Sequence, residues 1–321
     1  MTHRFESIAV VGAGAVGSFY GAMLARAGHR VRLIGRPAHV AAIARDGLRL
    51  DMAGRVETIR VAAATELEAV RGADLVLFCV KSTATDATAR AMAPLLDAGA
   101  VVLSLQNGVE NAALIAAHVG PRVVPAVVYV ATALPEPGLV RHHGRGELVI
   151  GSADKAAAGR PGVAAQLDAI VALFASAGIA VTLSTDVMAE LWSKLLVNCA
   201  YNAISALAQA PYAQLAALSD VRAVQQAIVR EVVAVAAADG VALSLEAALQ
   251  ATDRIAQTMP GQRSSTAQDV ARRKPTEIDH LNGFVVRRGR ALGVATPVNQ
   301  TLYALVKLVE AGYGQGDGNR H

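Results

Sequence analysis

The first half of the chain alternates two hydrophobic patterns. Short, fully apolar runs of strand length are separated by longer segments of helical character. Ile8–Val11, Val31–Ile34, Leu75–Val80 and Val101–Leu105 are the clearest strand runs, and Val123–Val130, Leu148–Gly151 and Ile179–Leu183 follow. Ser18–Ala27, Asp86–Leu96 and Val163–Ala177 read as helices between them. Strands without polar alternation are buried on both faces. Their alternation with helices therefore predicts a parallel sheet covered on two sides. From Val187 onward helical periodicity takes over, and Pro211, Gly240, Pro260, Pro275, Gly293 and Pro297 punctuate it. The expected architecture is α/β: a Rossmann-type doubly wound sheet over residues 1–185, then an all-helical domain over residues 186–321. The Gly-rich tail 312–321 is expected to be frayed.

Composition narrows the class. The 321 residues are 53% hydrophobic and 17% charged, which excludes a disordered chain. Net charge is only +4. The short basic runs Arg272–Lys274 and Arg287–Arg290 read as solvated helix faces, and no nucleic-acid-binding motif accompanies them. No apolar run approaches the roughly 20 residues that span a membrane. Cys79 and Cys199 sit apart in apolar segments and read as reduced core thiols, with no metal-ligand spacing. The N-terminus enters an apolar strand directly and shows no signal-peptide cleavage pattern, so a cytoplasmic location is expected.

Chemistry enters at the end of the first strand. Gly12-Ala13-Gly14-Ala15-Val16-Gly17 is a G-x-G-x-x-G loop that follows a strand and opens a helix, the context in which this pattern binds a dinucleotide. Gly12 permits the tight turn, Gly14 lets the backbone approach a pyrophosphate, and Gly17 lets helix pack on strand. The next strand ends Ile34-Gly35-Arg36, with Gly35 and then a cation where an NAD site usually carries Asp or Glu. Arg36 suits a 2′-phosphate, so NADP (NADPH) is the expected cofactor. Lys81 and Asn107 stand at two further strand ends, where ligands of open parallel sheets lie.

In the second half, Lys194, Asn198 and Asn202 recur every four residues, with Glu190 one turn earlier. Four residues advance a helix by about 400°, so they share one stripe between apolar faces. Asn is a poor helix former, and a Lys–Asn–Asn stripe beside core residues asks for a partner. A positioned ammonium can stabilise the charge that grows on a carbonyl oxygen under reduction and supply the proton. The alternative is the solvated side of an amphipathic helix. Further on, Thr276 and Asp279 have capping-box spacing, which places Glu277 in the first turn of a helix running to about Gly293.

Taken together, the Gly12–Gly17 loop, Val80-Lys81, Gln106-Asn107-Gly108, Leu191-Trp192-Ser193-Lys194-Leu195 with Asn198 and Asn202, Ser264-Ser265 through Gln268-Asp269, Glu277-Ile278-Asp279 and Asn282-Gly283 resemble the ketopantoate reductase (2-dehydropantoate 2-reductase) family over nearly the full length. The resemblance implies Lys194 as proton donor and Glu277 as its companion near the cofactor ribose. It implies Asn107 between nicotinamide and substrate, Asn198, Asn202 and Ser265 as substrate contacts, and Lys81 and Arg36 as cofactor-side cations. The implied reaction takes a small-molecule 2-oxo acid, 2-dehydropantoate first, to (R)-pantoate with NADPH, a step of pantothenate biosynthesis. Two alternatives stand beside it: the same chemistry on another 2-oxo acid, and a non-catalytic NADP(H) sensor. The chain also departs from the family's pattern, since Pro211 is followed by Tyr212 where members carry a substrate-binding asparagine. Apolar helices of the second domain suit either its own core or a homodimer interface.

Overall fold

The structure, a computed structural model, describes residues 5–157 and 159–314. Contacts divide the chain into two compact units, Met1–Glu190 and Leu191–His321.

The first unit runs β1 (Ser7–Val11), α1 (Ala15–Arg26), β2 (Arg30–Ile34), α2 (Pro37–Asp46), β3 (Leu48–Met52), β4 (Arg55–Ile59), β5 (Ala62–Ala64), β6 (Leu75–Phe78), α3 (Thr85–Met92), β7 (Val101–Ser104), α4 (Asn111–Val119), β8 (Val123–Glu136), β9 (Leu139–Ile150), α5 (Pro161–Ser176) and β10 (Val181–Leu183). Strands β5-β2-β1-β6-β7-β8 lie side by side and pair in parallel. Successive side chains of a strand point to opposite faces. Ile8, Val10, Leu75, Leu77, Val101 and Leu103 accordingly pack with Phe19, Tyr20, Ile170 and Phe174 of α1 and α5. Ala9, Val11, Val76, Phe78 and Val102 pack with Ala89, Met92, Ile115 and Val119 of α3 and α4. The doubly wound arrangement follows from strands that are apolar on both sides.

The sheet also extends further than the apolar runs indicate. β8 continues for 14 residues and turns back antiparallel into β9. β9 in turn pairs in parallel with β3 and β10, and β3 pairs antiparallel with β4. Sequence periodicity marks only Val123–Val130 and Leu148–Gly151 of this hairpin. The missed portion is half-exposed, carries His142, His143 and Arg145, and shifts register at three places, so no clean alternation survives in it. Helix α1 begins at Ala15, three residues before the periodic signal at Ser18, because Gly14 caps it without a side chain.

The second unit is built from α6 (Val187–Ala208), whose first turn belongs to the first unit, α7 (Tyr212–Ala217), α8 (Ser219–Ala238), α9 (Leu245–Thr258), α10 (Ser265–Ala271), α11 (Asn282–Leu292) and α12 (Pro297–Ala311). No strand occurs among its described residues. Its core holds Trp192 against Phe284, with ring centroids 5.6 Å apart, and Tyr201 against Tyr212 at 4.7 Å. α11 stops at Gly293, which adopts a left-handed φ of 71°, as its glycine and position lead one to expect. Residues 312–314 form a single 3-10 turn, and the rest of the tail lies outside the described residues. No described helix is long and apolar enough to cross a membrane.

Candidate functional site

The three loop glycines differ in what surrounds them. Gly12 has φ +98°, and a Cβ there would stand 2.6 Å from the Val80 nitrogen. A Cβ on Gly17 would stand 2.4 Å from the Gly12 carbonyl oxygen, so α1 can approach β1 only because that atom is missing. Gly14 is the opposite case, with nothing within 4 Å of its Cβ position. The loop is held from below, where the Gly12 and Ala13 N–H groups both donate to the Ile34 carbonyl, at 3.0 and 2.9 Å. The first amide bond along α1 runs from Ser18 N–H to the Gly14 carbonyl at 2.8 Å, so the amides of Ala15, Val16 and Gly17 precede it. A rigid loop with one open side, ahead of uncommitted helix-start amides, fits a pyrophosphate.

At the end of β2, Gly35 N–H donates to the Ala64 carbonyl at 3.0 Å, and a Cβ on Gly35 would meet the Ala13 Cβ at 2.9 Å. An acidic side chain at position 35 therefore has no room unless the loop shifts. Arg36 follows, exposed, as the N-cap residue of α2 with Pro37 fixing the first helical position.

The ends of β6 and β7 are joined by a buried polar network. Gln106 Nε2 donates to the Val80 carbonyl at 2.9 Å and to Thr85 Oγ1 at 2.7 Å. Thr85 Oγ1 donates to Asn111 Oδ1 at 2.8 Å. Asn111 Nδ2 donates to the Asn107 carbonyl at 2.6 Å and to Ser82 Oγ at 3.2 Å. All four side chains are buried. They fix the backbone on both sides of exposed Lys81 and beneath half-buried Asn107. Strand-end position marks Lys81 and Asn107 in the sequence, whereas nothing local marks Ser82 or Thr85. The one available signal was Asn111, an amide four residues after Asn107 at the start of a helix.

On α6, the polar stripe is not a solvated face. Lys194 and Asn198 are half-buried and Asn202 is 4% exposed. The Asn202 carbonyl accepts a hydrogen bond from Ser264 Oγ at 3.2 Å, and Ser264 N–H donates to Ser205 Oγ at 3.3 Å. Ser264 also caps α10, where its Oγ accepts from Ala267 N–H at 3.0 Å. Ser264 is thus the residue that docks this segment on α6, and it leaves Ser265 exposed at the first helical position beside Asn202's turn.

The capping-box expectation at Thr276 does not hold. Thr276 Oγ1 accepts from Ile278 N–H at 3.2 Å, two residues on, and Ile278–His280 form a 3-10 turn that Glu277 precedes. The Asp279 carboxylate is engaged elsewhere, by the Tyr303 hydroxyl at 2.7 Å and Lys307 Nζ at 3.0 Å on α12. The long helix expected from Glu277 therefore starts only at Asn282. Asn282 Nδ2 donates to the Cys199 carbonyl at 3.3 Å, which ties the element after half-buried Glu277 to α6. Tyr212, the departure noted above, is buried against Tyr201, and desolvation pushes its hydroxyl pKa up to about 12. It is a core residue of the helical unit. Burial also pushes the Cys79 and Cys199 thiols up, away from reactivity.

A doubly wound sheet with this glycine loop, followed by helices that carry a sheltered Lys–Asn–Asn stripe, defines a dinucleotide-dependent oxidoreductase as the class. Comparison with known proteins places the chain within it. Residues 8–155 match the model of ketopantoate reductase PanE/ApbA, and residues 186–310 match that of its C-terminal region. A 2-dehydropantoate 2-reductase of Halobacterium salinarum is 36% identical over 94% of this chain and 98% of its own. One from Vibrio cholerae is 31% identical over 96% and 99%. A crystal structure of a PanE/ApbA family ketopantoate reductase from Ralstonia eutropha superposes with a TM-score of 0.87 at 51% identity, covering 96% of this chain and 99% of that one. A D-mandelate dehydrogenase solved with NADH and anilino(oxo)acetate superposes with a TM-score of 0.89 at 25% identity, with the same coverage. The chain belongs to the ketopantoate reductase PanE/ApbA family, and it is an oxidoreductase acting on a CH–OH group.

Proposed function

We propose that the protein is an NADPH-dependent reductase of a 2-oxo acid, with 2-dehydropantoate as substrate and (R)-pantoate, a precursor of pantothenate, as product. The observation that carries this reading is the sheltered stripe on α6. Half-buried Lys194 and Asn198 and buried Asn202, at one-turn intervals, form a donor set for a carboxylate and a carbonyl.

When bound, the reduced nicotinamide supplies the hydride for the carbonyl carbon. The chain's residues do the rest. Lys194 Nζ stabilises the charge that develops on the carbonyl oxygen and gives it a proton. Asn198, Asn202 and Ser265 hold the substrate's carboxylate and hydroxyl groups, and Asn107 orients the reacting carbonyl. Glu277 acts with Lys194 and with the cofactor ribose. Gly14 and the amides of Ala15–Gly17 take the pyrophosphate, while Lys81 and Arg36 supply cations, Arg36 to the 2′-phosphate. The closed space at Gly35 supports NADP over NAD, because it leaves no room for the acid that would bind the ribose 2′-hydroxyl.

Tyr212 favours a second reading within the same chemistry. A position where family members carry a substrate amide is here part of the core, and the similar D-mandelate dehydrogenase was solved with a different oxo acid. A panel of 2-oxo acids followed by NADPH and NADH absorbance tests both readings. The highest kcat/KM for 2-dehydropantoate with NADPH supports the first. A higher value for another acid replaces the substrate, and cofactor binding without turnover of any oxo acid replaces the enzyme with a sensor.

A further inference from the structure

His39 is buried, with 6% of its surface exposed, and has no part in the chemistry above. Both ring nitrogens are engaged by other elements. Gly138 N–H, in the β8–β9 turn, donates to Nδ1 at 2.9 Å. A nitrogen that accepts from a backbone amide carries no proton, so the hydrogen sits on Nε2 and is donated to Ser18 Oγ at 3.0 Å. The ring is thereby fixed in one neutral tautomer at both ends. Burial lowers its pKa in agreement with this.

Three elements meet at this ring: α1 through Ser18, the first turn of α2 through His39 itself, and the β8–β9 turn through Gly138. Ser18, fully buried, is the residue whose amide closes the first turn of α1 onto Gly14. Gly138 has φ +78°, and a Cβ there would stand 2.9 Å from the Ala42 Cβ, so its turn lies directly on α2. His39 sits in the first turn of α2, and its N–H donates to the Arg36 carbonyl at 3.0 Å, as does Val40 N–H. Pro37 restricts the intervening backbone. The path from the imidazole to the Arg36 Cα is therefore short and stiff. An apolar side chain could fill the same space, but it would not fix α2 along two directed bonds.

We propose that His39 is a positioning residue for cofactor specificity: its imidazole locks the start of α2 to the glycine-loop helix and the β8–β9 turn, and so sets where Arg36 presents its guanidinium to a 2′-phosphate. This rests on the reading of Arg36 given above. Paired guanidinium–phosphate bonds tolerate little displacement, so a loosened α2 weakens NADPH while leaving NADH, which lacks that phosphate, largely alone.

The test uses the full chain and measures Kd for NADPH and for NADH by nicotinamide fluorescence, in wild type, Arg36→Ala, His39→Leu and Ser18→Ala. Wild type prefers NADPH, and Arg36→Ala removes the preference. His39→Leu and Ser18→Ala each lower the NADPH-to-NADH preference by about fivefold or more, through NADPH alone. If His39→Leu does not fold, Ser18→Ala, a mild change inside a helix, decides the matter. Folded variants that keep the wild-type preference while Arg36→Ala loses it overturn the role of His39 and leave that of Arg36 standing. An equal loss for both cofactors also overturns it, since that is what a merely structural ring would give. A wild type without preference, or an Arg36→Ala that keeps one, overturns the reading of Arg36 and this inference with it.

Discussion

Gly35 and Ala13 are in contact such that a Cβ on Gly35 would lie 2.9 Å from the Ala13 Cβ. The end of β2 is thus closed against the glycine loop at the position where an NAD site carries its acid. Gly35→Asp alone, the direct way to invite a ribose 2′-hydroxyl, is expected to weaken both NADPH and NADH, because the loop must move. Pairing it with Ala13→Gly removes the obstructing methyl and is expected to shift preference toward NADH by about tenfold. Titrations of both variants with both cofactors check this. Tighter NADH binding by Gly35→Asp alone would show that the contact is not limiting.

Lys194→Ala is expected to lower kcat by roughly 10²–10⁴, the range for loss of a positioned acid, with NADPH Kd nearly unchanged. Steady-state kinetics and a binding titration separate the two quantities. Unchanged turnover removes Lys194 from the mechanism.

Thr85 both donates to Asn111 and accepts from Gln106 inside the network under Asn107. Thr85→Val keeps its shape and leaves two buried amides short of a partner, at a cost of about 1–3 kcal/mol. Chemical unfolding should show that loss together with a lower kcat/KM for the oxo acid. Thr85→Ser should restore both. A drop in stability without any change in kinetics would separate the network from Asn107.

Tyr212 packs on Tyr201 in the helical core. Tyr212→Asn is expected to destabilise the protein by about 2–4 kcal/mol, and Tyr212→Phe by less than about 1. If instead the asparagine variant folds equally well and gains turnover on 2-dehydropantoate, Tyr212 lines the substrate site.

His39 also gives a pH signature. Burial lowers its pKa below the ordinary 6.5. As pH falls from 6.5 toward the folded-state value, the unfolded chain takes up a proton that the folded chain does not. The stability contribution is therefore full above that ordinary value and is lost below it. The melting temperature of the wild type should fall between about pH 7.5 and 5.5, and that of His39→Gln should fall less. Parallel curves would mean that the ring titrates normally.

Legibility in the sequence followed the range of the interaction involved. The glycine loop was readable because each glycine answers a local demand. Gly12 meets a positive φ, and Gly17 meets a helix pressed onto its own preceding strand. The stripe Lys194–Asn198–Asn202 was readable because helical spacing alone puts the three on one line. Asp279 has capping spacing but takes no cap, because its partners, Tyr303 and Lys307, lie 24 and 28 residues away.

Patterns along the chain were enough for the doubly wound sheet, the loop that opens it and the helical second half, and the spacing of its motifs for the family resemblance. The sheet, the loop and the helices rest on periodicity and on backbone freedom, which act within a few residues. Long-range packing set the length of the β8–β9 hairpin, the network of Ser82, Thr85, Gln106 and Asn111, the place of Tyr212 in a core and the clamp of His39 on Ser18 and Gly138. In the clamp the partners are 21 and 99 residues apart. A polar side chain at such a site shows no pattern along the chain. Its partner is chosen by which strands and helices pack together, and burial then makes that pairing obligatory.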